Sequence, residues 1–238
     1  MRSSGTARKR SARTRGRRGP ATQILDAACV AFAEKGFHDA TVSDICGQAG
    51  ANIAAINYYF GDKETLYVEA WRLAFQRSLE AHPPDGGVPA TAPAEERLRG
   101  RILSLVQRVA DRGTHDFEIA RKELANPTGL LAEVMRESIQ PLQAGMDGLV
   151  RELLGRRASE QQVRFCRMSI IAQCMQPMMR ERERKLMDGR SKRGLRLPEL
   201  NAEEFADHVA RFSLAGIRET RRLIEKGETG ARRQPPDK

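Results

Sequence analysis

From residue 20 onward, apolar residues recur at intervals of three and four rather than two, so the chain reads as a succession of helices. Ile24, Ala27, Ala28, Ala31 and Phe32 form the first stripe, with Pro20 in its opening turn and Gly36 just past its end. Thr41 opens a short second helix, with Asp44 three residues on in a capping-box-like position, and Gly50 lies near its close. Asn52 caps a third helix carrying Ile56, Tyr59 and Phe60. Gly61 ends it, and Asp62 caps a fourth containing Leu66, Trp71 and Phe75. Residues 82–94 are dense in Pro, Gly and Ala without any period, which marks a loop or linker. Five further helices are expected at about 95–112, 115–125, 127–154, 159–187 and 202–226. No stretch alternates with period two long enough to argue for a sheet, so the fold class is all-α.

Composition narrows the picture modestly. A chain of 238 residues, 40% hydrophobic and 30% charged, suits one large or two modest globular domains. No apolar run approaches the ~20 residues of a membrane span. No apolar stretch follows the basic N-terminus, so a secretory signal is not expected and the reading is cytoplasmic. Cys29, Cys46, Cys166 and Cys174 show no C-x-x-C pairing and no histidine at ligand spacing. Buried reduced thiols are expected, with a thiol redox sensor as the alternative. His115 and His208 read as structural residues, and neither a metal nor a cofactor is expected.

Charge changes the picture more. The net +10 is concentrated in residues 1–18, where Arg2, Arg8, Lys9, Arg10, Arg13, Arg15, Arg17 and Arg18 face no acid. The rest of the chain is nearly balanced, 33 basic against 31 acidic residues. Such an arm cannot bury a core and reads as disordered. A phosphate-bearing partner explains its charge through counterion release; a merely solubilising tail is the alternative.

The most informative stretch is Thr41 to Lys63, TVSDICGQAGANIAAINYYFGDK. Two short helices about a Gly-Ala-Asn turn make a helix-turn-helix, whose second helix enters the major groove. Val42, Ile45, Ala49, Ile56 and Phe60 are expected inward. This leaves Ile53, Ala54, Ala55, Asn57 and Tyr58 on the outer face of the third helix. Asn57 suits the paired donor–acceptor edge of adenine, and the Ile and Ala side chains suit thymine methyls. Thr41, Ser43, Asn52, Tyr58, Tyr59 and Lys63 complete the candidate DNA-binding set, with Lys63 and the free amides opening the fourth helix as a phosphate clamp. A buried helical hairpin with core tyrosines is the alternative reading.

These residues carry a resemblance. Residues 20–66 resemble the DNA-binding domain of the TetR family, through Ile24-x-x-Ala27-Ala28-x-x-x-Phe32, Gly36-Phe37, Thr41-Val42-x-x-Ile45, Ala49-Gly50, Ile56-Asn57-Tyr58-Tyr59-Phe60 and Lys63-Glu64-x-Leu66. The run Ala51 to Lys63 is similar to the CecR branch, as is Arg121-Lys122-Glu123-Leu124-x-x-Pro127-Thr128 in the second half. Two departures stand out. Ala51-Asn52 replace the Val-Ser common in the wider family, and no Arg, Lys or Gln lies on the reading helix, so DNA shape is expected to share in discrimination.

The resemblance implies a helical C-terminal domain that dimerises through its last two long helices and encloses a ligand pocket. The organisation expected is a disordered arm over 1–18, the DNA-binding domain over 19–66, a connecting helix and linker over 67–94, the ligand-binding and dimerisation domain over 95–227, and a disordered tail over 228–238. Phe165, Met168, Ile171, Ala172, Met175 and Met178 recur at helical spacing, as do Phe205, Val209, Phe212, Leu214, Ile217 and Leu223. Antiparallel packing of both helices on a second copy gives a four-helix interface; closing the monomer's own core is the alternative. Arg121, Met146, Met175 and Met178 are candidate ligand-binding residues, against the plainer readings of methionine as core filler and Arg121–Glu123 as an ion pair.

The function expected is a sequence-specific DNA-binding repressor of a palindromic operator. A small-molecule effector releases it, and it controls transport or detoxification genes. The alternative is a nucleoid or division-type DNA-binding protein under a protein partner, to which the Arg-rich segment 180–196 would belong. No nucleophile–base pair, phosphate loop or metal-spaced cluster appears, so an enzyme is not expected.

Overall fold

The computed structural model describes residues 19–176 and 201–228. Among them it contains nine helices and no strand: α1 (Pro20–Asp39), α2 (Val42–Ala49), α3 (Ile53–Phe60), α4 (Lys63–Ala81), α5 (Ala94–Ala110), α6 (Asp116–Ala125), α7 (Ala132–Leu154), α8 (Glu160–Cys174) and α9 (Ala202–Glu225). The basic arm, the Arg-rich segment, Met178 and all but the first residue of the C-terminal tail lie outside the described residues.

Local chemistry sets the short helices. Asp44 N–H donates to Thr41 Oγ1 at 3.1 Å, Ala55 N–H to Asn52 Oδ1 at 2.9 Å and Thr65 N–H to Asp62 Oδ1 at 2.7 Å, so each cap residue satisfies an amide that its helix leaves unpaired. Gly50 ends α2 in the left-handed region, φ 61°, and lets the Ala51 amide turn back to the Cys46 carbonyl at 3.0 Å. Gly36 breaks helical geometry inside α1, three residues before its end.

Two apolar cores result. The first holds Ile24, Ala28, Phe32, Ile45, Ile56, Leu66, Tyr67 and Trp71 from α1–α4, and also Ile119 of α6 with Leu131 and Val134 at the start of α7. The second is built from α5, α7, α8 and α9 around Leu98, Ile102, Val150, Ile170, Val209 and Ile217. The core beneath α1–α4 is therefore completed by residues of α6 and the start of α7.

One difference from the sequence reading has a clear cause. The seventh helix begins at Ala132 instead of near 127, because the buried Glu123 carboxylate accepts the amides of Thr128 and Gly129, both at 2.9 Å, and the Thr128 hydroxyl at 3.0 Å. Those amides are committed to a carboxylate, so the segment forms a turn. The Pro- and Gly-rich stretch after α4 is a loop, as the sequence predicts, and it packs on α5. Gly86 and Gly100 bring the loop and α5 into backbone contact, where a Cβ on Gly86 would stand 2.3 Å from the Gly100 carbonyl oxygen.

Candidate DNA-reading surface and effector cavity

α2 and α3 form the helix-turn-helix that the sequence predicts. Ile45 and Ile56 are buried between them, with Val42, Ala49 and Phe60 packed against the same core. Thr41, Ser43, Asn52, Ile53, Ala54, Asn57, Tyr58 and Tyr59 are exposed, and Ala55 is half-buried. Ile53 is 56% and Tyr58 82% exposed, a large apolar and aromatic area to leave in water without a partner. The Tyr58 and Tyr59 rings meet edge to face at 5.0 Å.

The Asn52 cap is as the sequence predicts, and the contacts of Lys63 and Lys35 were not legible beforehand. The Asn52 side-chain oxygen accepts the cap bond from Ala55 N–H, which leaves both amide N–H donors for another partner. The Lys63 ammonium sits 4.4 Å over the Phe37 ring, a cation–π contact that holds it half-buried at the start of α4. Lys35 pairs with Asp44 at 2.7 Å. The hydrogen bond from Lys35, with those from Thr41, holds the Asp44 carboxyl below the usual aspartate range.

In the body, α4 to α8 enclose a cavity of about 300 Å³. Arg121, Met146 and Met175 line it. The remaining ligand candidate, Met178, lies outside the described residues. α8 divides its apolar positions between two surfaces: Ile171 and Met175 face the cavity, whereas Phe165 and Met168 are more than half exposed. On α9, Val209, Leu214 and Ile217 are buried and Phe212 is 64% exposed.

Arg121 does not pair with Glu123. It reaches back one turn to Glu118 at 2.6 Å, and Glu123, which points away from solvent, accepts from the Tyr67 hydroxyl of α4 at 3.1 Å. The geometry of an α-helix explains the swap, since residues two apart project to different faces. Burial and the neighbouring Glu123 charge push the Tyr67 phenol well above its ordinary value.

The sequence reading missed the cavity's most unusual group. Arg108 of α5 is 4% exposed; its Nε donates to Ser78 Oγ at 2.9 Å and its Nη2 to Asp116 Oδ2 at 3.1 Å. Its guanidinium also stacks against Phe75 and Phe117, centroids 5.1 and 5.4 Å away. Burial pushes the Asp116 carboxyl above its usual range, while Arg108 and the Thr114 hydroxyl pull it back. The available signal was the series Arg101, Ser104, Leu105 and Arg108, spaced to share one face of α5 beside the apolar stripe of Leu98, Ile102, Val106 and Val109. Burial raises the Cys29 and Cys174 thiols to about 12 and pushes Cys166 up as well, so none is set up as a reactive thiolate. No cluster of His, Cys, Asp and Glu able to hold a metal occurs among the described residues, and no described helix is long and apolar enough to cross a membrane.

α6 joins the two regions. Phe117, Ala120, Arg121 and Leu124 line the cavity, while Ile119 and Lys122 pack toward α1 and Glu123 binds α4. One ten-residue helix is thus both a wall of the cavity and a support of the DNA head.

Comparison with known proteins agrees with this architecture. The profile of bacterial regulatory proteins of the tetR family matches residues 24–70, and that of the C-terminal domain of the HTH-type transcriptional dual regulator CecR matches residues 94–217. The chain is 30% identical over 148 residues to the CecR regulator of Shigella flexneri, covering 58% of this chain and 66% of that protein, just short of two thirds. Among solved structures, a transcriptional regulator from Rhodococcus sp. Rha1 superposes with a TM-score of 0.61 at 14% identity, covering 84% of this chain and 96% of the other. The regulator FadR of Bacillus subtilis, solved with stearoyl-CoA, superposes with a TM-score of 0.60 at 21% identity, covering 82% and 98%. These two likenesses concern the fold. The chain belongs to the TetR family of DNA-binding transcriptional regulators and carries a CecR-type C-terminal domain.

Proposed function

We propose that this protein is a homodimeric, cytoplasmic repressor that reads a palindromic operator through α3 and is released from it by a small molecule in the α4–α8 cavity. The observation that carries this reading is the double duty of α6, whose two faces meet the cavity and the DNA head. An effector that fits better when α6 is displaced drags α1 and α4, and with them α3. To change operator affinity 5–150-fold it must prefer that state by about 1–3 kcal/mol. That a structural relative was solved in complex with stearoyl-CoA supports control by a small-molecule effector.

On the DNA side, Asn57 reads adenine and Ile53 and Ala54 meet thymine methyls, with Ala55 backing the same surface. Thr41, Ser43, Asn52, Tyr58, Tyr59 and Lys63 hold phosphates. The exposed Phe165, Met168 and Phe212 form the centre of the interface with a second copy. Two α3 helices are needed because one eight-residue helix makes too few contacts for a specific site. Genes for transport or detoxification are the targets that the family suggests.

The test is a fluorescence-anisotropy titration of the full chain against duplexes from the DNA flanking its own gene, with a library of small apolar compounds added. The reading expects a duplex containing an inverted repeat to bind well above a scrambled one, and at least one compound to release it. Release by a protein partner alone would favour the nucleoid-type alternative, and equal affinity for every duplex would end the reading.

A further inference from the structure

Four arginines line the cavity, and three are already committed. Arg108 is held by Asp116 at 3.1 Å, Arg121 by Glu118 at 2.6 Å and Arg167 by Asp147 at 2.6 Å. Arg101 has neither a hydrogen bond nor an ion pair among the described residues. It projects from α5 across to α7, where its guanidinium rests against Gly145. A Cβ at that glycine would stand 3.0 Å from Nη1 and 3.2 Å from Nη2. The close approach therefore depends on the missing side chain, and it seats a half-buried cation, with no counter-charge among the described residues, at the wall of a largely apolar cavity.

That combination selects a ligand chemistry. Phe75, Leu105, Phe117, Ile139, Leu142 and Met146 offer only apolar contact. A charge left among such groups is costly unless it finds a counter-charge. A carboxylate answers it best, because the planar guanidinium donates two parallel N–H bonds to its two oxygens. A neutral polar head satisfies Arg101 less well, and an ammonium repels it. The volume of about 300 Å³ lies at the lower end of small-molecule sites.

We propose that the cavity binds an amphipathic monoanion, an apolar body carrying one carboxylate, with the carboxylate on Arg101 and the body among the side chains of α4, α6 and α7. This deepens the effector reading above and rests on it. The same carboxylate chemistry is offered by a free alkanoic acid and by an aromatic acid, whereas an acyl thioester brings its tail without that charge.

Calorimetry on the full chain without DNA separates the two claims. The probes are decanoate, 1-decanol, decylammonium, 2-naphthylacetate and decanoyl-CoA. Decanoate or naphthylacetate is expected to bind at least about tenfold more tightly than decanol, with decylammonium weakest. Arg101→Met should erase the carboxylate's advantage over decanol while leaving decanol affinity within about twofold. Because Arg101 has no partner to lose among the described residues, the variant should melt like the parent. Gly145→Ala, which pushes the guanidinium from its seat, should reproduce part of the loss with the charge retained. Equal affinity for acid, alcohol and amine would overturn the proposal, as would a carboxylate preference that survives Arg101→Met. Tightest binding by decanoyl-CoA, unaffected by Arg101→Met, would overturn it in favour of the thioester. Carboxylate binding that leaves operator affinity unchanged would keep this inference and sink the repressor mechanism instead.

Discussion

α3 and α5 break the usual rule of burial in opposite directions. α3 buries Ile56 alone and turns Ile53, Ala54 and Tyr58 to water, with no charged residue along its length. α5 does the reverse: it carries Arg108 into the interior and Arg101 to the wall of a cavity. Apolar surface outside and cationic charge inside are both unfavourable for an isolated chain. In the proposed mechanism each is a place that folding leaves for a partner, a DNA groove in one case and an anionic ligand in the other. Arg108 shows the limit of the rule, since Asp116, Ser78 and two aromatic rings already satisfy it. Burial alone does not mark a ligand site; an uncommitted charge does.

The comparison breaks most visibly at Asp116. Asp116→Ala leaves the Arg108 guanidinium buried without its counter-charge and should cost about 3–5 kcal/mol in urea denaturation, whereas Arg101→Met should cost almost nothing. Equal costs would mean that both arginines are structural. Next comes Tyr67→Phe, which removes the donor to the buried Glu123 carboxylate. A loss of about 1.5–3 kcal/mol is expected, together with a weaker effector response, because the α4–α6 link is cut.

On the DNA side, Asn57→Ala should lower discrimination at one base pair by about 1–3 kcal/mol and leave the salt dependence unchanged. Lys63→Ala should weaken all duplexes alike and reduce the salt slope by about 1. Removing residues 2–18 should flatten that slope further. An unaltered slope for the deletion would show that the arm does not touch DNA. If Asn57→Ala and Lys63→Ala behave alike, the division between reading and clamping fails.

The smallest effect is one of pH. Hydrogen bonding from Thr65 holds the Asp62 carboxyl below the ordinary 3.8, so the ionised form is favoured in the folded state. Its contribution is therefore complete above that value and is lost as pH falls through the depressed one. Hydrogen exchange at the Thr65 amide should accelerate relative to the α4 interior only in that acid range, and Asp62→Asn should remove the pH dependence.

What could be read in advance follows from the range of the interactions. Thr41, Asn52 and Asp62 cap helices through atoms three residues away, so the starts of α2, α3 and α4 were visible in the chain. The outward face of α3 was legible for the same reason. Arg108 and Asp116 find partners because α4, α5 and α6 converge, and an arginine within a helix otherwise reads as solvated. The late start of α7 likewise depends on where Glu123 turns. Gly145 carried no sign of the guanidinium that rests on it, since that contact joins residues 44 positions apart.

Footprinting of the full chain on its own inverted repeat tests the central claim most directly. The account predicts two-fold symmetric protection, with half-site centres about 34–36 Å or a multiple of that apart. It also predicts that this protection collapses when Phe212→Glu splits the dimer. A monomer that protects a half-site as well as the whole operator, or protects scrambled duplex equally, would contradict it.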